Sequence, residues 1–205
     1  MSDDTGSRPY RKRKRAEQEA ETRLRITEVV VELHQTVGPV NTKVTDVAER
    51  AGVSRMTVYN HFPTEADLIA ACSAHWSAAN PSPDPAQWES IADADKRLEV
   101  ALDEIYAWYA GSEDMIGNVL RDASVVEPLG HIVQASWSPY MDRVVEVLAE
   151  GRACTEVDAG GVNAGEVRAA LRLVVDFRTW KVLTEAGMES DRAAQLAARL
   201  VRGMT

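Results

Sequence analysis

The sequence predicts an all-α fold in two parts, on three observations. Apolar residues recur at helical spacing along most of the chain. No stretch shows the sustained alternation of a strand. Residues 80–85 (NPSPDP) place three prolines close together, which a continuous helix cannot hold. The predicted organisation is a basic flexible arm over residues 1–16, a small helical domain over 17–79, and a larger helical domain over 80–205.

Each element has a local reason. Over residues 17–37, Leu24, Ile26, Val29, Val30, Leu33 and Val37 fall on one helical face, and Gly38-Pro39 ends the run. Thr42 is expected to cap a short second helix carrying Val44, Val47, Ala48 and Ala51. Gly52 stops that helix, because glycine tolerates the left-handed conformation of a tight turn. Ser54 caps a third helix through His61, and Thr64 caps a fourth with Leu68, Ile69 and Cys72 inward. After the proline-rich break, amphipathic helices are expected over 93–111, 112–122, 129–152, 163–187 and 190–204.

Composition narrows the class. The chain has 205 residues, of which 45% are hydrophobic, enough for a substantial core. Its 2 cysteines, Cys72 and Cys154, argue against a secreted disulfide framework. No apolar run approaches the roughly 20 residues that cross a bilayer, and no apolar signal region follows the basic start. A soluble cytoplasmic protein with no membrane partner is expected. The net charge of −9 is unevenly spread. Residues 1–70 hold 11 basic and 11 acidic side chains, so the other 12 basic and 21 acidic carry all of it. Residues 8–15 (RPYRKRKR) include Arg11, Lys12, Arg13, Lys14 and Arg15 and no acid. Such a run is either a solvated tail or an arm that tracks phosphates.

Two short helices joined through Ala51-Gly52-Val53 make a helix-turn-helix. Val44, Val47, Ala48, Val53, Val58 and Phe62 fit its buried side. The other face of the second helix shows Arg55, Met56, Thr57, Tyr59, Asn60 and His61. A helix fits the DNA major groove and reaches base edges with its N-terminal residues. Arg55 suits a guanine, Met56 a thymine methyl, Thr57 and Asn60 base edges or phosphates, and Tyr59 and His61 the backbone. A helical hairpin in a bundle can show the same pattern without DNA.

TKVTDVAERAGVSRMTVYNHFPTEADL (residues 42–68) resembles the DNA-binding motif of tetracycline-repressor (TetR) type transcriptional regulators. The AGVS turn and the tyrosine–x–histidine–phenylalanine ending carry the likeness. The resemblance implies a three-helix DNA-binding domain, then a larger helical domain that dimerises and often binds an effector. It assigns Thr42, Tyr59 and His61 to phosphates and Arg55, Met56, Thr57 and Asn60 to bases. Lys43 and Ser54 flank these positions and join the candidate DNA-binding set. LRLVVDFRTWKVLTEAG (residues 171–187) also looks like the penultimate helix of such regulators. One departure stands out: the family pattern continues proline–x–lysine, with the lysine on a phosphate, and here Glu65 occupies that place.

Other chemistry is poorly supported. Cys72 and His75 lie at helical i,i+3 spacing, but two ligands are too few for structural zinc, so no metal is expected. No nucleophile elbow, phosphate-binding glycine loop or histidine–glutamate zinc motif is present, so neither catalysis nor a cofactor is expected. Trp108, Tyr109, Trp137 and Tyr140 lie within predicted helices and suit either a ligand cavity or an ordinary core. Pro139 favours a cavity, because proline inside a helix removes a hydrogen bond and kinks it. The predicted helix over 163–187 is apolar nearly all round, which leaves a face for a partner, and the last helix offers Ala194, Ala197, Ala198 and Val201, small enough for close helix approach. Val167, Leu171, Val174, Ala194, Ala197 and Val201 are the expected homodimer contacts. The resulting expectation is a homodimeric repressor on a palindromic operator, released by an apolar or aromatic small molecule. The alternative is a helical small-molecule-binding module with weak or lost DNA binding, motivated by Glu65.

Overall fold

The computed structural model describes residues 7–152 and 163–204, with side chains from Tyr10 onward. Cys154 and the first residues of the arm lie outside the described residues. Every regular element among the described residues is helical.

Helix α1 (Ser7–Thr36) is longer than expected. The basic run is its first turns rather than a flexible arm. Between Tyr10 and Val37 there is neither glycine nor proline to stop a helix. Arg13 pairs with Glu17 (2.8 Å) and Arg15 with Glu19 (3.0 Å) at i,i+4, the spacing that brings side chains together on a helix. Burial begins only at Ile26, so the first half of α1 projects into solvent. Its second half supplies Ile26, Val30 and Leu33 to the small domain's core.

Gly38 has φ +86°, and a 3₁₀ turn (Pro39–Asn41) follows. Thr42 does not cap the next helix. Its hydroxyl donates to the Gly38 carbonyl at 2.9 Å, and α2 (Val44–Arg50) starts from the backbone of Lys43. α3 (Arg55–His61) and α4 (Glu65–Ala79) are capped by Ser54 and Thr64, as expected. Thr64 and Asp67 close a reciprocal capping box. α2, α3 and α4 bury Val47, Ala48, Ala51, Val58, Phe62, Leu68 and Cys72 against α1.

The larger domain opens with a 3₁₀ turn (Pro85–Trp88) and α5 (Ala94–Asp122). α5 is one helix, where two were expected. Gly111 sits exposed within it, and the buried row Tyr109, Ser112, Met115 and Ile116 continues across the glycine. α6 (Glu127–Ile132) runs through a π-turn (Val133–Trp137) into α7 (Ser138–Ala149). The widened turn is what Pro139 produces: its ring would strike the carbonyl four residues back. The Ser138 N–H reaches instead to Val133, five residues back.

The expected helix over 163–187 is two helices, α8 (Ala164–Val175) and α9 (Phe177–Glu185). Asp176 breaks it in an extended conformation and caps α9 by accepting the Arg178 N–H at 2.7 Å. The carbonyls left at the end of α8 are satisfied from α5: Tyr106 donates to Val174 (2.7 Å) and Tyr109 to Val175 (2.6 Å). α10 (Ser190–Arg202) lies along α5 with Ala193, Ala194, Ala197, Ala198 and Val201 inward, small enough for close approach.

That arrangement corrects the dimer contacts. Val167, Leu171, Val174, Ala194, Ala197 and Val201 are all buried in the chain's own core. The i, i+4, i+7 row of α8 and the alanine row of α10 cover α5 and α7. The large apolar side chains left in solvent on these helices are Leu173, Val182 and Leu200.

Candidate nucleic-acid interface

α3 is held on one side and open on the other. Val58 and Phe62 are buried, while Arg55, Met56, Tyr59 and Asn60 are exposed and His61 half so. Ser54 accepts the Thr57 N–H at 3.0 Å, and its hydroxyl also lies 2.9 Å from that of Thr57. Both hydroxyls are therefore engaged in starting the helix, and Thr57 is half-buried. Thr42 is likewise half-buried and turned to Gly38, whereas Lys43 is exposed.

Two arginines on α1 fix the unit, and neither stood out in the sequence. The Arg23 guanidinium lies 4.0 Å over the Phe62 ring and donates to the His61 carbonyl. Arg25 donates to the Ala51 carbonyl at 2.9 Å. These contacts satisfy carbonyls at the ends of α2 and α3 that no helix partner reaches. The acceptors of Arg23 and Arg25 lie 38 and 26 residues away in sequence, so no local pattern marks them. Arg11, Lys12, Arg13, Lys14 and Arg15 are all exposed on the projecting half of α1. Arg13 and Arg15 are partly neutralised by Glu17 and Glu19. Glu65 is exposed in the first turn of α4, directly after α3.

A cavity of about 100 Å³ lies where the two domains meet. His34 and Cys72 reach it from the small domain, with Trp76 further along α4. Met115, Ile116, Val119 and Leu120 of α5 face them, and Leu129, Ile132, Val133 and Trp137 close it. The Cys72 Sγ lies 3.4 Å from His34 Nδ1. Burial pushes the thiol up to about 12. Burial also pulls His34 down to about 4, against the opposing pull of the Asp122 charge. The pair is neutral at pH 7, and the cavity carries no charge. Cys72 thus pairs with His34 and not with His75. Among the described residues no group of three or more His, Cys, Asp or Glu side chains could hold a metal.

Of the expected effector residues, only Trp137 lines this cavity. The four rings do come together, with Trp108 5.8 Å from Trp137, 5.5 Å from Tyr109 and 6.2 Å from Tyr140. Trp108, Tyr109 and Tyr140 pack away from this cavity. Tyr109 is fully buried, while Trp108 donates to Asn80 (3.3 Å) and Tyr140 to Pro83 (3.1 Å). Those bonds pin the proline-rich linker to the larger domain.

Residues 26–72 match the bacterial regulatory proteins of the tetR family. The chain carries a TetR-family DNA-binding domain. The match covers the second half of α1 through Cys72 on α4, which is the unit that the core and the two arginines hold together. Among curated proteins, none matches the chain's sequence. Solved structures share the fold over most of its length. A TetR transcription regulator from Haloarcula marismortui is 20% identical, with 90% of this chain and 98% of that one covered and a TM-score of 0.62. A transcriptional regulator from Saccharomonospora viridis in complex with choline is 19% identical, covering 89% and 96%, with a TM-score of 0.63. The regulator FadR from Bacillus subtilis in complex with stearoyl-CoA is 18% identical, covering 87% and 96%, with a TM-score of 0.58. Among the described residues no helix is long and apolar enough to cross a membrane.

Proposed function

We propose that the protein is a homodimeric, sequence-specific transcriptional regulator that represses until a small-molecule effector binds. The observation that carries this reading is α3. Its exposed row of Arg55, Met56, Tyr59 and Asn60 stands on a helix whose back is locked by Phe62 and Arg23. Rigid presentation matters because a base contact discriminates only when the side chain's position is fixed. Arg55 has the planar fork for guanine, Met56 the apolar surface for thymine, and Tyr59 a hydroxyl for a phosphate.

Two copies would read a palindromic operator with half-sites about one helical turn apart, roughly 34–36 Å. Adjacent helices α8, α9 and α10 support dimerisation, because Leu173, Val182 and Leu200 are 65%, 64% and 57% exposed. Two similar structures hold a small molecule, choline in one and stearoyl-CoA in the other. In this chain the cavity between α1, α4, α5 and α6 is our candidate effector site, on its enclosed apolar lining. A ligand there can change DNA affinity only by favouring one arrangement of the domains over the other.

The test is a salt-titrated gel shift on the DNA upstream of the protein's own gene. Arg55→Ala should relax the preference at one base in each half-site, a cost of about 1–3 kcal/mol per bidentate contact. Lys12→Gln with Lys14→Gln should instead weaken all sequences alike and flatten the slope of log affinity against log salt by about 0.9 per lost phosphate contact. Unchanged sequence preference in Arg55→Ala rejects α3 as the reading helix.

A further inference from the structure

Two cavities of the larger domain meet across one wall. The apolar cavity at the domain joint and an open cleft of about 360 Å³ share Leu120, Val133 and Trp137 in their linings. Beyond that wall the cleft holds Arg172 and Arg178. Arg172 pairs with Asp142 at 2.6 Å, and Arg178 lies 3.8 Å from Asp176. Both pairs are open to solvent, where water screens them and leaves them weak. Asp176 is also committed to α9, since its other carboxylate oxygen accepts the Arg178 N–H. Both guanidiniums are thus available to a better-placed acceptor.

We propose that the two cavities form one binding site for an amphiphilic anion. Its hydrocarbon tail occupies the apolar cavity beside Cys72, and its anionic head sits against Arg172 and Arg178. This deepens the effector reading above and rests on it. The division follows from the linings. The apolar cavity has no charged side chain, so a charge would be costly there and a hydrocarbon is favoured. The cleft offers two guanidiniums, whose fork matches a carboxylate or phosphate oxygen pair. Asp142 and Asp176 each offset one of the two positive charges, so the cleft has no net charge to balance a second negative charge, which disfavours a dianionic head.

The wall is suited to opening. Val133 and Trp137 both belong to the π-turn, a widened turn of a kind that recurs at functional sites. Leu120, the third shared residue, is held by α5 and stays as the floor. Trp137 stacks at 5.8 Å on Trp108 and 6.4 Å on Tyr109. A tail passing between the cavities displaces its ring from both, so tryptophan emission reports occupancy directly.

The experiment titrates the full-length protein with octanoate, octyl phosphate, 1-octanol and octyltrimethylammonium, read by tryptophan emission and calorimetry. Octanoate is expected to bind about tenfold more tightly than 1-octanol, the order of one charge-assisted hydrogen bond. Octyl phosphate should bind no more tightly than octanoate, and the cation most weakly. Arg172→Gln with Arg178→Gln should remove the octanoate advantage while leaving 1-octanol unchanged. Val119→Phe, which narrows the apolar cavity, should weaken octanoate and 1-octanol alike. Equal binding of octanoate and 1-octanol, unaltered by the arginine variants, would overturn the two-part site and leave a neutral effector cavity standing. A Val119→Phe protein that binds octanoate normally would also overturn it. Binding by none of the probes would remove the effector reading together with this one.

Discussion

The buried carboxylate of Asp122, the last residue of α5, accepts the backbone N–H of Val40 at 3.0 Å across the joint between the two domains. Arg121 braces it with two hydrogen bonds, 2.7 and 3.0 Å. Gly38 belongs to the same joint, since a Cβ there would lie 2.8 Å from the Asp122 carboxylate and run into the Arg121 guanidinium. Nearby, Asn118 donates to the carbonyls of His34 (2.9 Å) and Gln35 (2.8 Å) at the end of α1. The C-terminal end of α5 therefore grips the turn that leads from α1 into the helix-turn-helix.

Asp122→Ala should loosen that grip. It leaves the Val40 N–H without its acceptor and Arg121 without its partner, a cost of about 1–3 kcal/mol for the stranded groups. Urea denaturation measures the loss. Operator affinity should become less responsive to any effector, because the joint no longer holds the domains in one arrangement. Burial by itself would raise the Asp122 pKa. The hydrogen bonds from Arg121 and Val40, with the Arg121 charge, outweigh it and hold the carboxyl below its ordinary value. Its stabilising share is present above the ordinary carboxylate range and is lost as pH falls through the lowered folded value.

His34 gives a second, separable pH dependence. Its folded pKa is depressed to about 4 from 6.5 by burial. Between those values the unfolded chain takes up a proton that the folded chain refuses, so stability falls as pH drops from about 6.5 to about 4. Each pH unit in that window costs up to about 1.4 kcal/mol. Denaturation midpoints at a series of pH values should show this slope in the native chain. His34→Gln should remove it while leaving the lower-pH limb due to carboxylates. A slope that persists in His34→Gln would mean that another group titrates there.

The outward and inward faces of the last helices predict opposite outcomes for similar substitutions. Leu171 is fully buried, so Leu171→Asp places an unpaired charge in the core and should unfold the protein. Val182 is exposed, so Val182→Asp should leave the protomer folded and act only on association. Circular dichroism and sedimentation separate the two effects. A wild-type protein that sediments as a monomer at micromolar concentration would reject the dimer outright.

Most of the small domain could be read from the sequence because its signals are local. Ser54 caps α3 within three residues, Thr64 and Asp67 close α4 in the same span, and Gly52 turns at φ +65°. The misreadings share a different cause. Residues 167–183 are apolar nearly all round, so their periodicity hides the break at Asp176. That break is stabilised by Tyr106 and Tyr109, which lie 68 and 66 residues before the carbonyls they serve, a distance no local pattern reveals. His75 stands at helical spacing from Cys72, but the partner of Cys72 is His34, 38 residues away. Thr42 looked like a cap until Gly38 and Pro39 formed a 3₁₀ turn and took its hydroxyl. The aromatic quartet, which in the sequence suits either a ligand cavity or an ordinary core, packs ring against ring. Its hydrogen bonds to the linker, rather than a ligand, account for Trp108 and Tyr140.

Glu65 carries the last prediction. It stands where the TetR pattern places a lysine, and it is exposed in the first turn of α4 immediately after the reading helix. The positive end of the helix dipole favours a carboxylate there, but the cap does not depend on Glu65. Thr64 accepts the Asp67 N–H at 3.1 Å, and Asp67 accepts the Thr64 N–H at 3.1 Å. Glu65→Lys therefore leaves the capping box intact and should cost little stability. It replaces a group that repels phosphate with one that attracts it. Affinity should rise for operator and unrelated DNA alike, and the salt slope should steepen by about 0.9 for one added phosphate contact. Gel shifts across a salt series measure both. Affinity that does not change would mean that Glu65 points away from the duplex, and the reading of this chain as a weakened DNA binder would lose its motivating residue.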